Sequence, residues 1–428
     1  MKDSPPQMRR GGAPSAGVVL STCATGVSPV NSHGQDGRAT TAERAAERRG
    51  GAEYLCHGRL ARQRPPPQTS GRNMQATFQS ISRGGWFVLA FLVSVGARPA
   101  QAGDLAVRYE ASHEAMGTVY TVAAYGRDQE FLSEVVNQVF EEIDRLDAQM
   151  SNYKPESELS VINREAAQHA VIVEPRLFGL IQYAWRASDE SGGAFDITVG
   201  PLMKHWGFFR GQGRLPSPPE ISQVLKSVGY QHMHLDAERR SIRFDVSGME
   251  IDLGGIAKGY AVDQAVEILR SNGVTSALVS SGTSSIYALG SPPGERGWKV
   301  TVRDPYDAGK AADVFHLQNF ALSTSGSYEK FFKINGKIYC HIMDPHTGWP
   351  VQNMLSTVAA VPTGVETEVL TKVFFVGGVE KSRAYLATHP NAIGIFYQPG
   401  DKPQTFKRTV LRSKSFHIPS DSIAELEP

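Results

Sequence analysis

The sequence is poor in cysteine and lacks a series of long hydrophobic runs. Its 428 residues include three cysteines, 41% hydrophobic residues and 20% charged residues. So few cysteines exclude a small scaffold held together by disulfide bonds, and so few apolar runs exclude a membrane protein with many spans. The composition is that of one large globular domain or two smaller ones.

Basic residues are not in excess over most of the chain. Residues 1–73 contain 11 Lys and Arg against 5 Asp and Glu, whereas residues 103–428 contain 31 against 38. Proteins that bind nucleic acid through the phosphates need an excess of positive charge. The acidic balance of the larger part therefore disfavours nucleic acid as a partner.

Residues 74–102 have the pattern of a secretory signal. Arg83 gives a positive start, the eleven residues from Trp86 to Gly96 are mostly apolar, and Ala100–Ala102 is a small-x-small cleavage site. Such a run is shorter than the roughly 20 residues of a spanning helix, so a membrane anchor is the weaker alternative and no stable span is expected after signal removal. We therefore predict export to the periplasm or another extracytoplasmic compartment.

The segment 1–73 precedes this signal and would keep it away from the N-terminus. It is rich in Arg, Pro and Gly and lacks sustained apolar periodicity, which predicts disorder. Met74 is therefore the predicted biological start, and residues 1–73 are predicted to be disordered or a mis-assigned upstream segment. Cleavage after Ala102 leaves Cys340 as the single cysteine, so no internal disulfide is expected.

Helical and strand patterns follow one another irregularly over residues 103–428, which predicts a single α+β domain. Apolar residues repeat at helical spacing over 132–150, Pro175 can begin a helix that stops near Gly192, and Ser157 can cap a short helix between them. The predicted strands share alternating or continuous apolar runs and are Thr118–Ala124, Ser241–Val246, Thr275–Val279, Trp298–Val302 and Thr357–Val361.

A glycine-rich turn within residues 249–263 is the first candidate site. The segment MEIDLGGIAKGYAVD predicts a strand, a turn at Gly254 and Gly255, and a helix that continues to Gly273. The N–H groups at a helix start, glycines that admit a close ligand and the charge of Lys258 together suit a phosphate or pyrophosphate. The segment is neither a Walker loop nor the dinucleotide-binding glycine pattern, and a purely structural turn stays an alternative.

Two further segments carry candidate residues. SGGAFDITVGPL at 191–202 places Asp196 beside Phe195 in a loop of small residues that could hold a planar ring, with core packing of Phe195 as the alternative. CHIMDPHTG at 340–348 puts His341 at a strand end, where it is either a general base or a core histidine. Cys340 and His341 point to opposite faces of the strand, which argues against a Cys/His dyad.

Taken together, these segments resemble the FAD:protein FMN transferase family, the ApbE-like flavin transferases. Five motifs have the order and spacing of that family between about Met116 and Gly378: YKPESELSVIN, SGGAFDITVGPL, DLGGIAKGYAVD, HIMDPHTGWPV and TEVLTKVFFVGG. The resemblance implies a single α+β domain and an exported, Mg-dependent enzyme. Its reaction cleaves the pyrophosphate of FAD and leaves FMN on a Ser or Thr hydroxyl of an acceptor flavoprotein.

The resemblance also implies roles for individual residues. Those expected to contact the isoalloxazine and adenosine parts of FAD are Met116, Tyr153, Ala194, Phe195 and Asp196. Asp252 and Lys258 are expected along the ribose and pyrophosphate, and His341 is expected to take the proton of the acceptor hydroxyl. The metal positions correspond to the carbonyl of Gly255 and to Glu368 and Lys372.

Two segments depart from the family's usual pattern. Glu368 and Lys372 stand where an Asp and a Thr usually serve the metal, and Ser284–Ser285 stands where an acidic residue is common. An ammonium group has no lone pair to give to Mg²⁺. Either Lys372 pairs with Glu366 or Glu368 and weakens the metal site, or, as we favour, its ammonium takes the metal's place against the pyrophosphate. A non-catalytic FAD-binding protein and an Mg-dependent FAD pyrophosphatase stay open as alternative functions.

Overall fold

The computed structural model describes residues 19–21, 106–414 and 423–426. The predicted signal segment 74–102 lies outside these ranges, as do all residues of the upstream segment 1–73 except Val19–Ser21. The export signal and the upstream segment therefore stay predictions. Within the described ranges, no helix is long and apolar enough to cross a membrane.

Helices and strands alternate irregularly along the described chain, which confirms the predicted α+β class. The helices are α1 (Gln129–Met150), α2 (Glu158–Glu165), α3 (Pro175–Glu190), α4 (Gly200–His205), α5 (Pro218–Val224), α6 (Ala257–Ser271) and α7 (Gly364–Leu386). Short 3-10 helices span Ile197–Val199, Phe208–Arg210, Leu225–Ser227 and Tyr230–His232. The first ten strands are β1 (Val19–Ser21), β2 (Val107–Ala115), β3 (Thr118–Gly126), β4 (Val171–Ile172), β5 (Met233–Asp236), β6 (Ser241–Phe244), β7 (Ser276–Ser281), β8 (Ser285–Leu289), β9 (Trp298–Arg303) and β10 (Ala311–Gln318). The others are β11 (Phe320–Gly326), β12 (Phe331–Ile334), β13 (Lys337–Cys340), β14 (Met343–Asp344), β15 (Trp349–Pro350), β16 (Ser356–Val361), β17 (Ile393–Pro399), β18 (Phe406–Arg412) and β19 (Ile423–Leu426).

An antiparallel eight-stranded sheet, in the order β18-β17-β16-β11-β8-β7-β3-β2, lies at the centre of the fold. Smaller sheets have the orders β1-β12-β13, β19-β10-β9, β4-β6-β5 and β14-β15. Helices α1 and α6 pack against each other and against the sheet, and α7 packs on α6, β11 and β16. Val122 belongs to the core under α1 and α6, whereas its neighbour Ala123 belongs to a second core, because successive strand residues face opposite sides.

The predicted helices begin close to the capping residues that the sequence offers. The carboxylate of Asp128 accepts a hydrogen bond from Phe131 N–H at 2.7 Å and caps α1, whose apolar stripe is buried. Ser157 caps α2 and Pro175 is the first residue of α3, as predicted. These caps fix the ends of the helices that surround the candidate site.

All five predicted strands are present, as β3, β6, β7, β9 and β16. The strand predicted at the start of the 249–263 segment is wrong, because residues 249–253 belong to no strand. Asn163 takes the place of a partner strand: its side chain accepts from Ile251 N–H at 2.8 Å and donates to Ile251 O at 2.9 Å. Asp252 N–H donates to the carbonyl of Ile197 at 2.7 Å.

Candidate active site

The glycine turn leads directly into α6, as predicted. Gly254 and Gly255 form the turn, and Lys258 is the second residue of the helix. The Asp252 carboxylate accepts a hydrogen bond from Gly254 N–H at 2.7 Å, which holds it against the turn. Burial raises the pKa of Asp252, although the charge of Lys330 acts in the opposite direction. Backbone N–H groups and a lysine therefore lie together at the start of the helix.

Two glycines allow α6 and α7 to cross in close contact. A Cβ atom on Gly259 would lie 2.7 Å from Cγ of Glu368, and a Cβ atom on Gly364 would lie 2.6 Å from the Gly259 carbonyl oxygen. The Asp263 carboxylate accepts hydrogen bonds from the N–H groups of Gly364 and Val365, at 2.6 and 2.8 Å, and so caps α7. This crossing places Glu368 beside the first turn of α6.

Glu368 is fully buried and its carboxylate is bound on both oxygens. Ser284 donates to Oε1 at 3.2 Å, Ser285 donates to the same oxygen, and the ammonium of Lys372 forms an ion pair with Oε2. Burial alone would raise the pKa of Glu368, but the charges of Lys372 and Lys258 hold it below its usual value. Glu368 is therefore an ionised carboxylate, and its ion pair with Lys372 is the pairing described by the alternative that the sequence analysis did not favour.

His341 directly follows β13 and is surrounded by lysines. Its Nδ1 lies 3.1 Å from the carbonyl oxygen of Lys330, which also accepts the His341 backbone N–H at 3.0 Å. A carbonyl oxygen only accepts, so this contact assigns the hydrogen to Nδ1 and leaves the lone pair on Nε2. Burial and the charges of Lys330, Lys258 and Lys372 lower the pKa of His341 to about 3. The imidazole is therefore neutral at neutral pH.

Cys340 does not face His341. Its side chain is buried, and its thiol lies 3.7 Å from the carbonyl oxygen of Ile342 and 3.5 Å from that of Val351. Burial raises the pKa of the thiol to about 11, so it is not a thiolate at neutral pH. The sequence argument against a Cys/His dyad is confirmed.

An exposed pair of aromatic rings lies beside the glycine turn. Tyr153 is 66% exposed and stacks on Phe209, with ring centroids 4.3 Å apart and planes 5° from parallel. The Lys204 ammonium lies 5.2 Å from the Phe209 ring centroid. Partial burial and the charge of Asp252 raise the pKa of Tyr153, which places the pair next to the turn. Such rings offer a face on which a planar heterocycle can stack.

The loop with Ala194, Phe195 and Asp196 approaches the turn from another side. Ala194 and Phe195 are buried, and the Phe195 ring lies 3.7 Å from the position that a Cβ atom on Gly255 would take. The buried carboxylate of Asp196 accepts hydrogen bonds from Thr198 and from Tyr230 N–H and caps the 3-10 helix that follows. Asp196 thus shapes the loop, and its predicted contact with FAD stays a prediction.

Met116 is linked to the site through Tyr120. It occupies the turn between β2 and β3 with a φ of 50°, and its sulfur accepts a hydrogen bond from the Tyr120 hydroxyl at 3.1 Å. Burial and the nearby charge of Glu368 raise the pKa of Tyr120. The turn that carries Met116 is thereby connected to the site.

Two contributors to this site are absent from the sequence prediction. Lys330 acts on both Asp252 and His341, yet it lies outside the five motifs, in the turn before β12. Phe209 follows the aromatic run at 206–208, which was the one available signal for a stacking surface. The carbonyl of Lys330 reaches His341 only through the pairing of β12 with β13.

The side chains at the implied metal positions do not fit Mg²⁺ in this arrangement. Among the described residues, no three or more His, Cys, Asp or Glu side chains converge as a metal site. Mg²⁺ demands near-octahedral oxygen ligands, whereas the Glu368 carboxylate is occupied by hydroxyls and an ammonium. The Lys372 ammonium has no lone pair to give to a metal ion. The carbonyl oxygen of Gly255 is therefore left without the further oxygen ligands that Mg²⁺ would need at these positions.

Comparison with known proteins agrees with the fold and with the family resemblance. The family model described as "ApbE family" matches residues 116–396. A FAD:protein FMN transferase of Treponema pallidum is 30% identical over 68% of this chain and 84% of its own length, and one of Klebsiella pneumoniae is 32% identical over 67% and 88%. The crystal structure of the ApbE protein of Thermotoga maritima is 29% identical, with a TM-score of 0.65 over 72% of this chain and 98% of that one. The apo flavinyl transferase ApbE of Pseudomonas stutzeri is 28% identical, with a TM-score of 0.64 over 73% and 96%. The chain therefore belongs to the ApbE family.

Proposed function

We propose that this protein transfers the FMN moiety of FAD to the hydroxyl of a Ser or Thr in an acceptor flavoprotein, outside the cytoplasm. The observation that carries the proposal is a neutral His341, with its lone pair on Nε2, among three lysines at the glycine turn. The relatives named FAD:protein FMN transferase support the same reaction. The signal pattern at 74–102 supports the location.

The site offers separate surfaces to the parts of FAD. The N–H groups at the start of α6 and the charge of Lys258 suit the pyrophosphate. The exposed stack of Tyr153 on Phe209 suits one of the two ring systems. Because both surfaces border Asp252, FAD can bind along the glycine turn with its pyrophosphate toward His341.

The reaction exchanges one bond at phosphorus for another. The acceptor hydroxyl oxygen attacks the phosphorus of the FMN phosphate, and the bond from that phosphorus to the bridging oxygen breaks. AMP leaves with the bridging oxygen, and the hydroxyl proton passes to Nε2 of His341. The products are the FMN phosphoester of the acceptor, AMP and one proton.

The lysines around His341 set its protonation state before and during this step. In the free protein their charges and burial keep the imidazole neutral, so Nε2 starts as a proton acceptor. Bound pyrophosphate brings negative charge to the same lysines and offsets their effect on His341, which raises its pKa and makes it a stronger base. No step is assigned to a metal ion, because the side chains at the implied positions do not fit one.

The proposal is tested with the full chain, FAD and an acceptor peptide that contains a Ser/Thr flavinylation site. We expect a fluorescent peptide and AMP in equal amounts. Free FMN with AMP would show instead that water is the acceptor, and binding of FAD without AMP release would show a binding protein. His341→Ala should bind FAD but release AMP about 10²–10⁴ times more slowly.

A further inference from the structure

We propose that the Lys372 ammonium, held by the buried Glu368, donates hydrogen bonds to the FAD pyrophosphate in place of a divalent cation, so that this protein binds FAD without one. The inference rests on the proposed function, in which FAD is the substrate. Its basis is the conflict between the implied metal positions and the side chains that occupy them.

Glu368 is fixed where it stands by neutral hydroxyl groups. Ser284 and Ser285 donate to Oε1, and the Ser323 hydroxyl lies 3.1 Å from that of Ser285 and 2.6 Å from that of Thr367. Thr367 in turn donates to the backbone of α7 at 2.6 Å. All five side chains are buried or half-buried. The carboxylate therefore presents only Oε2, and that oxygen is bound to Lys372.

The ammonium of Lys372 lies at the place where the pyrophosphate is expected. Its Cε lies 3.8 Å from the position that a Cβ atom on Gly255 would take, and its charge lowers the pKa of His341. The side chain keeps 18% exposure, whereas its partner Glu368 has none. An ammonium has three N–H donors, and one of them meets Glu368. The other two N–H groups can donate to phosphate oxygens while the ion pair with Glu368 stays intact.

The ion pair also changes the charge beside the expected pyrophosphate position. Without Lys372, the Glu368 carboxylate would repel the negatively charged pyrophosphate. A divalent cation would then have to offset that repulsion. Here Lys372 neutralises Glu368, and Lys258 and Lys330 add two positive charges around His341. A divalent cation at Glu368 would either displace the Lys372 ammonium or lie beside it, where the two positive charges repel each other. Metal binding and the observed ion pair thus exclude each other.

The test measures FAD binding by flavin fluorescence with the full chain, once in a chelator and once in saturating Mg²⁺. Riboflavin is the control ligand because it lacks the pyrophosphate. The variants are Lys372→Met, which removes the charge, Lys372→Arg, which keeps it, and Lys372→Thr, which restores an oxygen ligand. Lys381→Met is the matched control, since Lys381 is exposed on the same helix.

We expect the unmodified protein to bind FAD within about threefold of the same affinity in both conditions. Lys372→Met should weaken FAD binding about 10- to 100-fold in chelator, the range for a lost hydrogen bond to a charged group, and leave riboflavin binding unchanged. Lys372→Arg and Lys381→Met should retain chelator-insensitive FAD binding, and Lys372→Thr should bind FAD tightly only with Mg²⁺.

Loss of FAD binding in chelator by the unmodified protein, with recovery in Mg²⁺, would overturn the inference. So would a Lys372→Met variant that binds FAD normally in chelator. If Lys372→Met does not fold, the FAD affinities of the unmodified protein and of Lys372→Arg, each in chelator and in Mg²⁺, still test the inference. If FAD binding requires Mg²⁺ and transfer occurs in Mg²⁺, the inference is refuted and the proposed function stands. If FAD binds in chelator but no transfer occurs, the inference stands and the proposed function is refuted.

Discussion

At the scale of single residues, His341 combines two properties that a general base needs. Its hydrogen bond to the Lys330 carbonyl orients the ring and leaves Nε2 to accept a proton. Burial and the surrounding lysines lower its pKa to about 3, which keeps it neutral in the free protein. The motif at 340–348 left a general base and a core histidine open, and only the family resemblance favoured the base; the charged surroundings of His341 come from distant segments.

Replacing His341 with Ala should slow transfer by about 10²–10⁴, the usual contribution of a general base. FAD binding should stay within a few-fold, because the base contacts the acceptor proton rather than the flavin. AMP release and flavin fluorescence titration measure the two effects. His169→Ala, at an exposed position, should change neither. Equal loss of binding and folding in His341→Ala would show that the histidine is structural.

The pH dependence should differ between the free protein and its FAD complex. A general base must be unprotonated to act, and kcat/KM reports the protonation state of the free protein. Because the pKa of free His341 is about 3, kcat/KM should stay level down to pH 5. Bound pyrophosphate raises that pKa, so the acid limb of kcat should appear at a higher pH than that of kcat/KM. An acid limb near pH 6.5 in kcat/KM would contradict the low pKa.

At the scale of elements, the crossing of α6 and α7 builds the site. Gly259 and Gly364 bring the helices together and Asp263 caps α7, so Glu368 and Lys372 face the glycine turn. Periodicity predicted α6 from its own residues, but no local pattern shows which helix it crosses. The wrong strand at 249–253 has a similar cause, because the side chain of Asn163, distant in sequence, replaces the hydrogen bonds of a partner strand.

Gly259→Ala should push the two helices apart. The added methyl would overlap Glu368 and the backbone of α7, and such overpacking costs about 1–3 kcal/mol of unfolding free energy. FAD binding should weaken as well, because Glu368 holds Lys372. Gly179→Ala in α3 is the matched control, since nothing lies within 4 Å of its Cβ position, and it should be neutral or stabilising by up to about 1 kcal/mol. Thermal unfolding of both variants tests this, and a Gly259→Ala protein as stable as the parent would refute the close crossing.

At the scale of the whole molecule, the resemblance predicted more than residue patterns alone. Helix and strand patterns gave the α+β class, while the order of five motifs gave the family, which the match over residues 116–396 confirms. Lys330 and Phe209 escaped prediction because they reach the site only through the folding of β12 and the loop after α4. Tertiary contacts of this kind leave no local signal in a single sequence.

The mature protein should begin at Gly103. The signal pattern at 74–102 predicts cleavage after Ala102 and translation from Met74. N-terminal sequencing of the protein purified from the extracytoplasmic fraction of its native host measures this directly. A stable chain that starts near Met1 would contradict both the export signal and the assignment of residues 1–73.

The central claim is that the protein attaches FMN covalently to other proteins. The most direct measurement compares denatured extracytoplasmic proteins from native-host cells that lack this gene and carry either the unmodified protein or His341→Ala. Covalent flavin survives denaturation and fluoresces on a gel. We predict a fluorescent acceptor band with the unmodified protein and none with His341→Ala; identical fluorescence in both strains, or none in either, would contradict the account.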